Sequence, residues 1–162
     1  VNSSWRDEKI EMYERVNVGV AVAKGDELIV PVIGDADRLS LVQIAERSRL
    51  LVEAVKDGTV TPAQLEGGTF SVSNLGMFEV DEFEAILNTP QAAILAVGAI
   101  RREPAFDDAG GATVGRPMRV TLTCDHRVIY GAHGAAFLQS LRRYLEEPLR
   151  LLLSGDARAV GA

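Results

Sequence analysis

Cysteine occurs once, at Cys124, so no intramolecular disulfide can form, and neither Cys124 nor the two histidines, His126 and His133, fall in the spacing of a zinc site. A reducing compartment is the expected setting. Clusters of Lys and Arg are missing, and the net charge of -6 leaves no basic footprint for a nucleic-acid partner. Long apolar runs are missing as well. The longest, residues 92–100, is strand-sized and far short of the ~20 residues of a membrane span, so no membrane partner is expected. Val1-Asn2-Ser3-Ser4-Trp5 has no basic region followed by an apolar run, which excludes a signal peptide at this end. The pairs Gly67-Gly68 and Gly110-Gly111 lack the spacing of a phosphate-cradling loop. There is no internal repeat, low-complexity tract or interdomain linker, and 162 residues suit one domain better than two.

What remains is the ordinary material of a globular domain: 47% hydrophobic and 25% charged residues, a mix that argues against disorder. Residues 16–23 place Val at alternate positions, the period of a strand with one packed face, and residues 28–33 form a second β-branched run. Lys24-Gly25-Asp26-Glu27 between them predicts a hairpin. Ser40 is the expected cap of a helix reaching about Asp57, with Leu41, Ile44, Ala45, Leu51, Val52 and Val55 as its apolar stripe and Gly58 as its stop. Thr61-Pro62-Ala63-Gln64 has the pattern of a capping box with Pro at the first helical position. Residues 69–73 read as a strand ended by Asn74-Leu75-Gly76, and residues 92–100 as a central strand buried on both faces. Residues 101–117, holding Asp107-Asp108, Gly110-Gly111 and Gly115, read as an exposed loop leading to a partner strand over residues 118–124. A last main helix is expected over residues 131–146, with Phe137, Leu138, Leu141 and Leu145 inward. Pro148 then opens a terminal turn containing Leu149 and residues 151–153, and residues 155–162 form a frayed tail. Strands with a few interspersed helices predict an α/β sandwich with a mixed sheet. Long helix-free connections argue against a doubly wound fold.

Few residues here can do chemistry. A lone histidine is more often a surface or satisfied core residue, and His133 stays in that class. His126 stands apart because Asp125 and Arg127 flank it at a strand end, just before Gly131 opens a helix, where side chains reach clefts. Cys124 lies on an apolar strand with nothing to lower its thiol pKa, so burial is the better account of it. Ser71, Ser73 and Asn74 cluster where a strand meets a Gly-containing loop. Turn chemistry and a hydroxyl donor aimed at an oxyanion account for them equally well. The acidic run Glu79, Asp81, Glu82 and Glu84 reads as a solvated edge.

Several motifs in order carry a resemblance. They are residues 67–76 (Gly-Gly-Thr-Phe-Ser-Val-Ser-Asn-Leu-Gly), residues 90–98 (Pro-Gln-Ala-Ala-Ile-Leu-Ala-Val-Gly) and residues 125–132 (Asp-His-Arg-Val-Ile-Tyr-Gly-Ala), preceded by Asn2-Ser3-Ser4-Trp5 and by matching segments between Val18 and Ile33. Across nearly its whole length the chain resembles the C-terminal catalytic domain of the dihydrolipoamide acyltransferases, core subunits of 2-oxo acid dehydrogenase complexes. The resemblance implies a chloramphenicol acetyltransferase-like sandwich, N-terminally truncated here. Residues 1–154 would be a partial catalytic domain, with the upstream strand and helices of the family's domain missing from the chain. It implies acyl transfer between dihydrolipoamide and coenzyme A, the lipoyl group being carried on a domain absent from this chain. His126 would be the general base and Ser73 the hydroxyl supporting the tetrahedral intermediate, with Asn74, Asp125, Arg127 and Tyr130 in support and no metal.

Further implications concern assembly. The family forms homotrimers that build cubic or icosahedral cores, joined by decarboxylase and dihydrolipoamide dehydrogenase components, with the active site between subunits. A cytoplasmic setting is implied, or a mitochondrial matrix or plastid stroma in a eukaryote. Met77-Phe78 leans toward the acetyl enzymes of pyruvate dehydrogenase complexes; branched-chain, acetoin and 2-oxoglutarate relatives share the motifs. A non-catalytic structural core subunit and a stand-alone acetyltransferase of the superfamily are the alternatives. One departure is specific: the family's His-Arg-x-x-Asp-Gly has Tyr130 at its Asp position.

Overall fold

The computed structural model describes residues 1–107 and 109–151. The chain opens with strands β1 (Ser3–Arg6) and β2 (Lys9–Met12), paired antiparallel with Trp5 opposite Ile10. Both turn residues, Asp7 and Glu8, have positive φ, 49° and 60°, as a type I′ hairpin turn requires. Neither is Gly or Asn, so the sequence carries no turn signal there and the hairpin went unpredicted.

The Val-rich run predicted as one strand over residues 16–23 divides. Its first part, β3 (Val18–Val20), joins the main sheet. Its second, β4 (Val22–Lys24), pairs with β5 (Glu27–Ile29) as the predicted hairpin around Gly25. The chain returns through β6 (Val32–Ile33), which pairs antiparallel with β3. The amide of Ala21, between the two parts, donates to the Val72 carbonyl at 2.9 Å, so the backbone stays paired across the break. Helix α1 (Leu41–Asp57) has the predicted ends. The Ser40 side chain accepts from the Gln43 amide in a capping box, and Gly58 closes the helix at φ 75°. Its stripe is narrower than expected. Leu51 and Val55 are buried, whereas Leu41 and Ala45 face out, because only the later turns meet the sheet.

Strands β7 (Phe70–Asn74) and β8 (Ala93–Ile100) run parallel in the sheet's middle. The segment predicted as a loop, residues 101–117, instead contains a two-stranded ribbon: β9 (Glu103–Phe106) pairs antiparallel with β10 (Ala112–Gly115). Asp107, Gly110 and Gly111 belong to its tip, where Asp107 Oδ1 accepts from the amides of Ala109 (3.0 Å) and Gly111 (2.7 Å), whereas Gly115 ends β10. A long structureless connection inside a compact domain is uncommon, and local Asx bonding supplies the alternative. Then β11 (Met118–Cys124) pairs antiparallel with β8, and α2 (Gly131–Glu146) follows. The main sheet has the order β11-β8-β7-β3-β6, with parallel and antiparallel pairs, so the mixed-sheet expectation holds.

Strand alternation gives this sheet two unlike faces. One carries Phe70, Val72, Ala93, Leu95, Val120 and Leu122, and Phe137, Leu138 and Leu141 of α2 pack on it. Leu145, expected inward, is 49% exposed, because α2 has run past the apolar cluster by its last turn. The other face presents Ser71, Ser73, Ala96 and Gly98, and the chain after β7 folds back over it. The Ala99 amide donates to the Val80 carbonyl at 2.8 Å. A Cβ on Gly98 would overlap the carbonyl oxygen of Asp81. A helical turn continues from Pro148, with the Leu151 amide donating to the Pro148 carbonyl. Residues 152 and 153 of that predicted turn, and the predicted tail 155–162, lie outside the described residues. No helix among the described residues is long and apolar enough to cross a membrane.

Gly98→Ala tests this close approach. The added methyl meets backbone on a buried strand, so unfolding stability by urea titration should fall by about 1–3 kcal/mol, the range of an overpacked core. A change below about 0.5 kcal/mol would mean that the return segment moves away freely.

Candidate active site

His126 sits on a turn held from both sides. Before it, the Asp125 amide donates to the buried Ala92 carbonyl at 2.8 Å, extending the β11–β8 ladder by one residue. After it, Val128 and Ile129 are buried, and their amides return to the Asp125 carbonyl at 3.0 and 2.9 Å. Between these anchors His126 is exposed. No hydrogen bond restrains its imidazole among the described residues; its recorded partner is the Tyr130 ring, with centroids 5.5 Å apart and planes at 71°.

The flanking charges hold the turn rather than face outward as free groups. Arg127 Nη2 donates to Asp125 Oδ2 at 2.7 Å, and the Arg127 amide donates to Oδ1 at 3.0 Å. The guanidinium also lies over the Trp5 ring, 5.4 Å from its centroid, tying the N-terminal hairpin to the turn. The hydrogen bond from Arg127 keeps the Asp125 carboxyl below the usual carboxylate range, and the same bond raises Arg127 further. Burial pushes the Cys124 thiol up, which disfavours the thiolate a nucleophile needs.

Tyr130 occupies the N-cap position of α2, in extended backbone at φ -82° and ψ 159°, and gives the helix no side-chain cap. Asp and Asn are among the strongest capping residues at that position. A Tyr cannot supply such a cap. Its hydroxyl makes no hydrogen bond among the described residues, while its ring also reaches His133, 5.8 Å between centroids.

The Ser/Asn cluster lies elsewhere. Ser71 is fully buried and donates to Gln91 Oε1 at 2.6 Å, a structural bond. Asn74 Oδ1 accepts from the Gly76 amide at 2.8 Å, which is turn chemistry. Ser73 is half-buried and its hydroxyl has no partner among the described residues. Ser73 is level with Ala96 on β8 whereas Asp125 is level with Ala92, and β7 and β11 flank β8 on opposite sides. Four residues along and two strands across put them on the order of 15 Å apart. The chain therefore gathers Asp125, His126, Arg127 and Tyr130 at one place, Ser73 and Asn74 at another, and does not join the two. Sequence reasoning missed Trp5 as part of the first group; its pairing with Arg127 spans more than a hundred residues and leaves no local signal. Among the described residues no group of three His, Cys, Asp or Glu side chains could hold a metal ion.

Comparison with known proteins accounts for this combination of sheet and turn. Residues 1–153 match the family described as 2-oxoacid dehydrogenases acyltransferase (catalytic domain), and the chain belongs to that family. It is 46% identical over 154 residues to an Arabidopsis thaliana mitochondrial protein, dihydrolipoyllysine-residue acetyltransferase component 3 of the pyruvate dehydrogenase complex. That match covers 94% of this chain and 29% of the relative. The corresponding Rickettsia typhi component is 39% identical, with 94% and 37% covered. The chain thus spans about a third of the length of these curated relatives. Among solved structures, a probable dihydrolipoamide acetyltransferase from Listeria monocytogenes superposes with TM-score 0.84 at 37% identity, covering 90% of this chain and 62% of that one. Dihydrolipoamide acetyltransferase from Azotobacter vinelandii, studied for the role of a serine, a histidine and an asparagine in its catalytic mechanism, superposes with TM-score 0.87 at 31% identity, covering 93% and 63%.

Two outcomes follow from the turn. Because the folded Asp125 carboxyl titrates below its unfolded value of about 3.9, its pairing stabilises the fold above that pH and is lost as pH falls through the lower folded value. Arg127→Ala should move the Asp125 carboxyl upward in an NMR pH titration; an unmoved resonance would mean that the ion pair does not form. Tyr130→Asn should raise stability by about 1 kcal/mol in thermal unfolding by restoring a cap to α2. No gain would argue against the N-cap placement.

Proposed function

We propose that this chain is the acyl-transferring part of a dihydrolipoamide acyltransferase, moving an acetyl group between dihydrolipoamide and coenzyme A in the core of a 2-oxo acid dehydrogenase complex. The observation that carries the reading is the state of two side chains. Among the described residues His126 is exposed and makes no hydrogen bond on an otherwise pinned turn, and Ser73 is a half-buried hydroxyl without a partner. In the Azotobacter relative the studied histidine and asparagine stand four apart, as His126 and Tyr130 do here. Its serine precedes the histidine by an interval within one residue of that from Ser73 to His126.

The chemistry suits these groups. A free thiol has a pKa near 8.5, so at neutral pH the coenzyme A sulfur needs its proton removed as it attacks the acyl-dihydrolipoamide carbonyl. The His126 imidazole accepts that proton. The carbonyl oxygen becomes an oxyanion, to which the Ser73 hydroxyl donates. Collapse expels the dihydrolipoamide sulfur, which takes the proton back from His126. No acyl-enzyme forms, consistent with a Cys124 thiol made less reactive by burial. Asp125 and Arg127 hold the turn, and Asn74 shapes the loop beside Ser73.

Because His126 and Ser73 of one chain are separated, the reading places them in one site through neighbouring copies, as in a homotrimer. Trimers would build a larger core like the cubic core of the pyruvate dehydrogenase multienzyme complex, to which this chain is similar with TM-score 0.87 and 31% identity. Decarboxylase and dihydrolipoamide dehydrogenase components are the implied partners. The lipoyl group would arrive on its own domain.

Acyl transfer from acetyl-coenzyme A to dihydrolipoamide is the test. His126→Ala should lower kcat by about 10²–10⁴-fold and Ser73→Ala by about 10²–10³-fold, with little change in KM. A loss under tenfold for His126→Ala sinks the base assignment and favours a structural core subunit.

A further inference from the structure

We infer that Tyr130 is a positioning residue for His126 and acts through its ring, not its hydroxyl. This rests on the reading of His126 as the general base. The two rings meet at 5.5 Å and 71°, the edge-to-face arrangement that aromatic pairs prefer. The Tyr130 ring is in turn flanked by His133 at 5.8 Å, one turn into α2, so the three rings form a file: His126, Tyr130, His133. The hydroxyl has no hydrogen bond and the side chain gives α2 no cap, so ring contact is what this side chain does among the described residues.

The backbone makes the contact durable. Val128 and Ile129, between the two aromatic residues, are buried at 9% and 3% exposure, and Tyr130 is fixed at the start of a sixteen-residue helix. The separation of the two Cα atoms is therefore set by the core. What remains is the His126 side chain, exposed and without a hydrogen bond among the described residues, which would otherwise exchange among its rotamers. A general base must be aimed at its proton, and misplacing a reacting group by about 1 Å can cost 10²-fold. In the Azotobacter relative an asparagine stands at this spacing, a residue that holds a neighbour by hydrogen bonds. Tyr130 holds the imidazole by packing, and gives up the helix cap that an asparagine would supply.

The test compares Tyr130→Ala and Tyr130→Phe in the assembled enzyme, with His126→Ala as the reference, and follows the His126 ring-proton resonance of the same variants by NMR. Tyr130→Ala should lower kcat about tenfold with KM within twofold, and should move the His126 resonance toward that of a free histidine. Tyr130→Phe keeps the ring and should restore both to near the starting values. A Phe variant as defective as the Ala variant would overturn the proposal in favour of the hydroxyl. Full activity in Tyr130→Ala, with His126→Ala inactive, would overturn it while leaving the base assignment intact. If His126→Ala keeps its activity, the base assignment fails, and the resonance alone decides the contact: an unmoved His126 signal in Tyr130→Ala overturns it.

Discussion

Ala92 has no exposed surface, yet both of its backbone polar groups must be paired. Its amide donates to the Ser3 carbonyl at 2.9 Å, and its carbonyl accepts from the Asp125 amide at 2.8 Å. These two bonds join the N-terminal hairpin, the entrance of the central strand β8 and the turn bearing His126. Leaving either group unpaired in the core costs about 1–3 kcal/mol, so the turn cannot drift without a penalty comparable to a serious core mutation. Ala92, Ala93 and Ala96 are all buried at 1% exposure or less. The Arg127 guanidinium over Trp5 adds a side-chain tie between the same two segments. The site turn is thus rigid in its backbone by construction, and its freedom is confined to one imidazole.

What could be read in the sequence was whatever had a local cause. The ends of α1 were legible because Ser40, Gln43 and Gly58 act within one turn of themselves, and β8 because a strand covered on both faces must be apolar throughout. The hairpin of β1 and β2 was not, since its turn uses Asp7 and Glu8 in a conformation that Gly or Asn would advertise. The ribbon of β9 and β10 was hidden by the richness of its tip in turn residues, which weigh the same whether a tip or a long loop contains them. The division of the Val-rich run at Ala21 has a tertiary cause: its amide is taken by Val72, a residue of β7 far along the chain.

The candidate site divides along the same line. His126 was legible from its charged neighbours at a strand end, and the local bonds of Asp125 to Arg127 explain why those neighbours are there. Ser71, Ser73 and Asn74 could not be separated by sequence, because all three are small polar residues at one strand end. Their partners among the described residues separate them: Gln91 takes Ser71, the Gly76 amide takes Asn74, and Ser73 is left unbonded. The role of Trp5 depended on a contact spanning more than a hundred residues and had no trace in the spacing of anything near it.

The separation of His126 from Ser73 gives the proposed reaction a constraint that a single-chain site lacks. Two groups on opposite flanks of β8 keep a fixed distance, because the sheet between them is close-packed and does not deform continuously. One copy cannot bring them to one thioester by closing a lid, since neither lies on a segment free to travel that far. A site using both must take them from two copies, and its geometry is then set by the subunit interface. Rigidity within each chain would then be an advantage: a turn pinned at Ala92, Val128 and Ile129 would hold the His126 backbone in the same place in every copy. Any error in aim must come from the interface or from the rotation of the His126 side chain. The first depends on assembly. The second is the degree of freedom against which the Tyr130 ring lies.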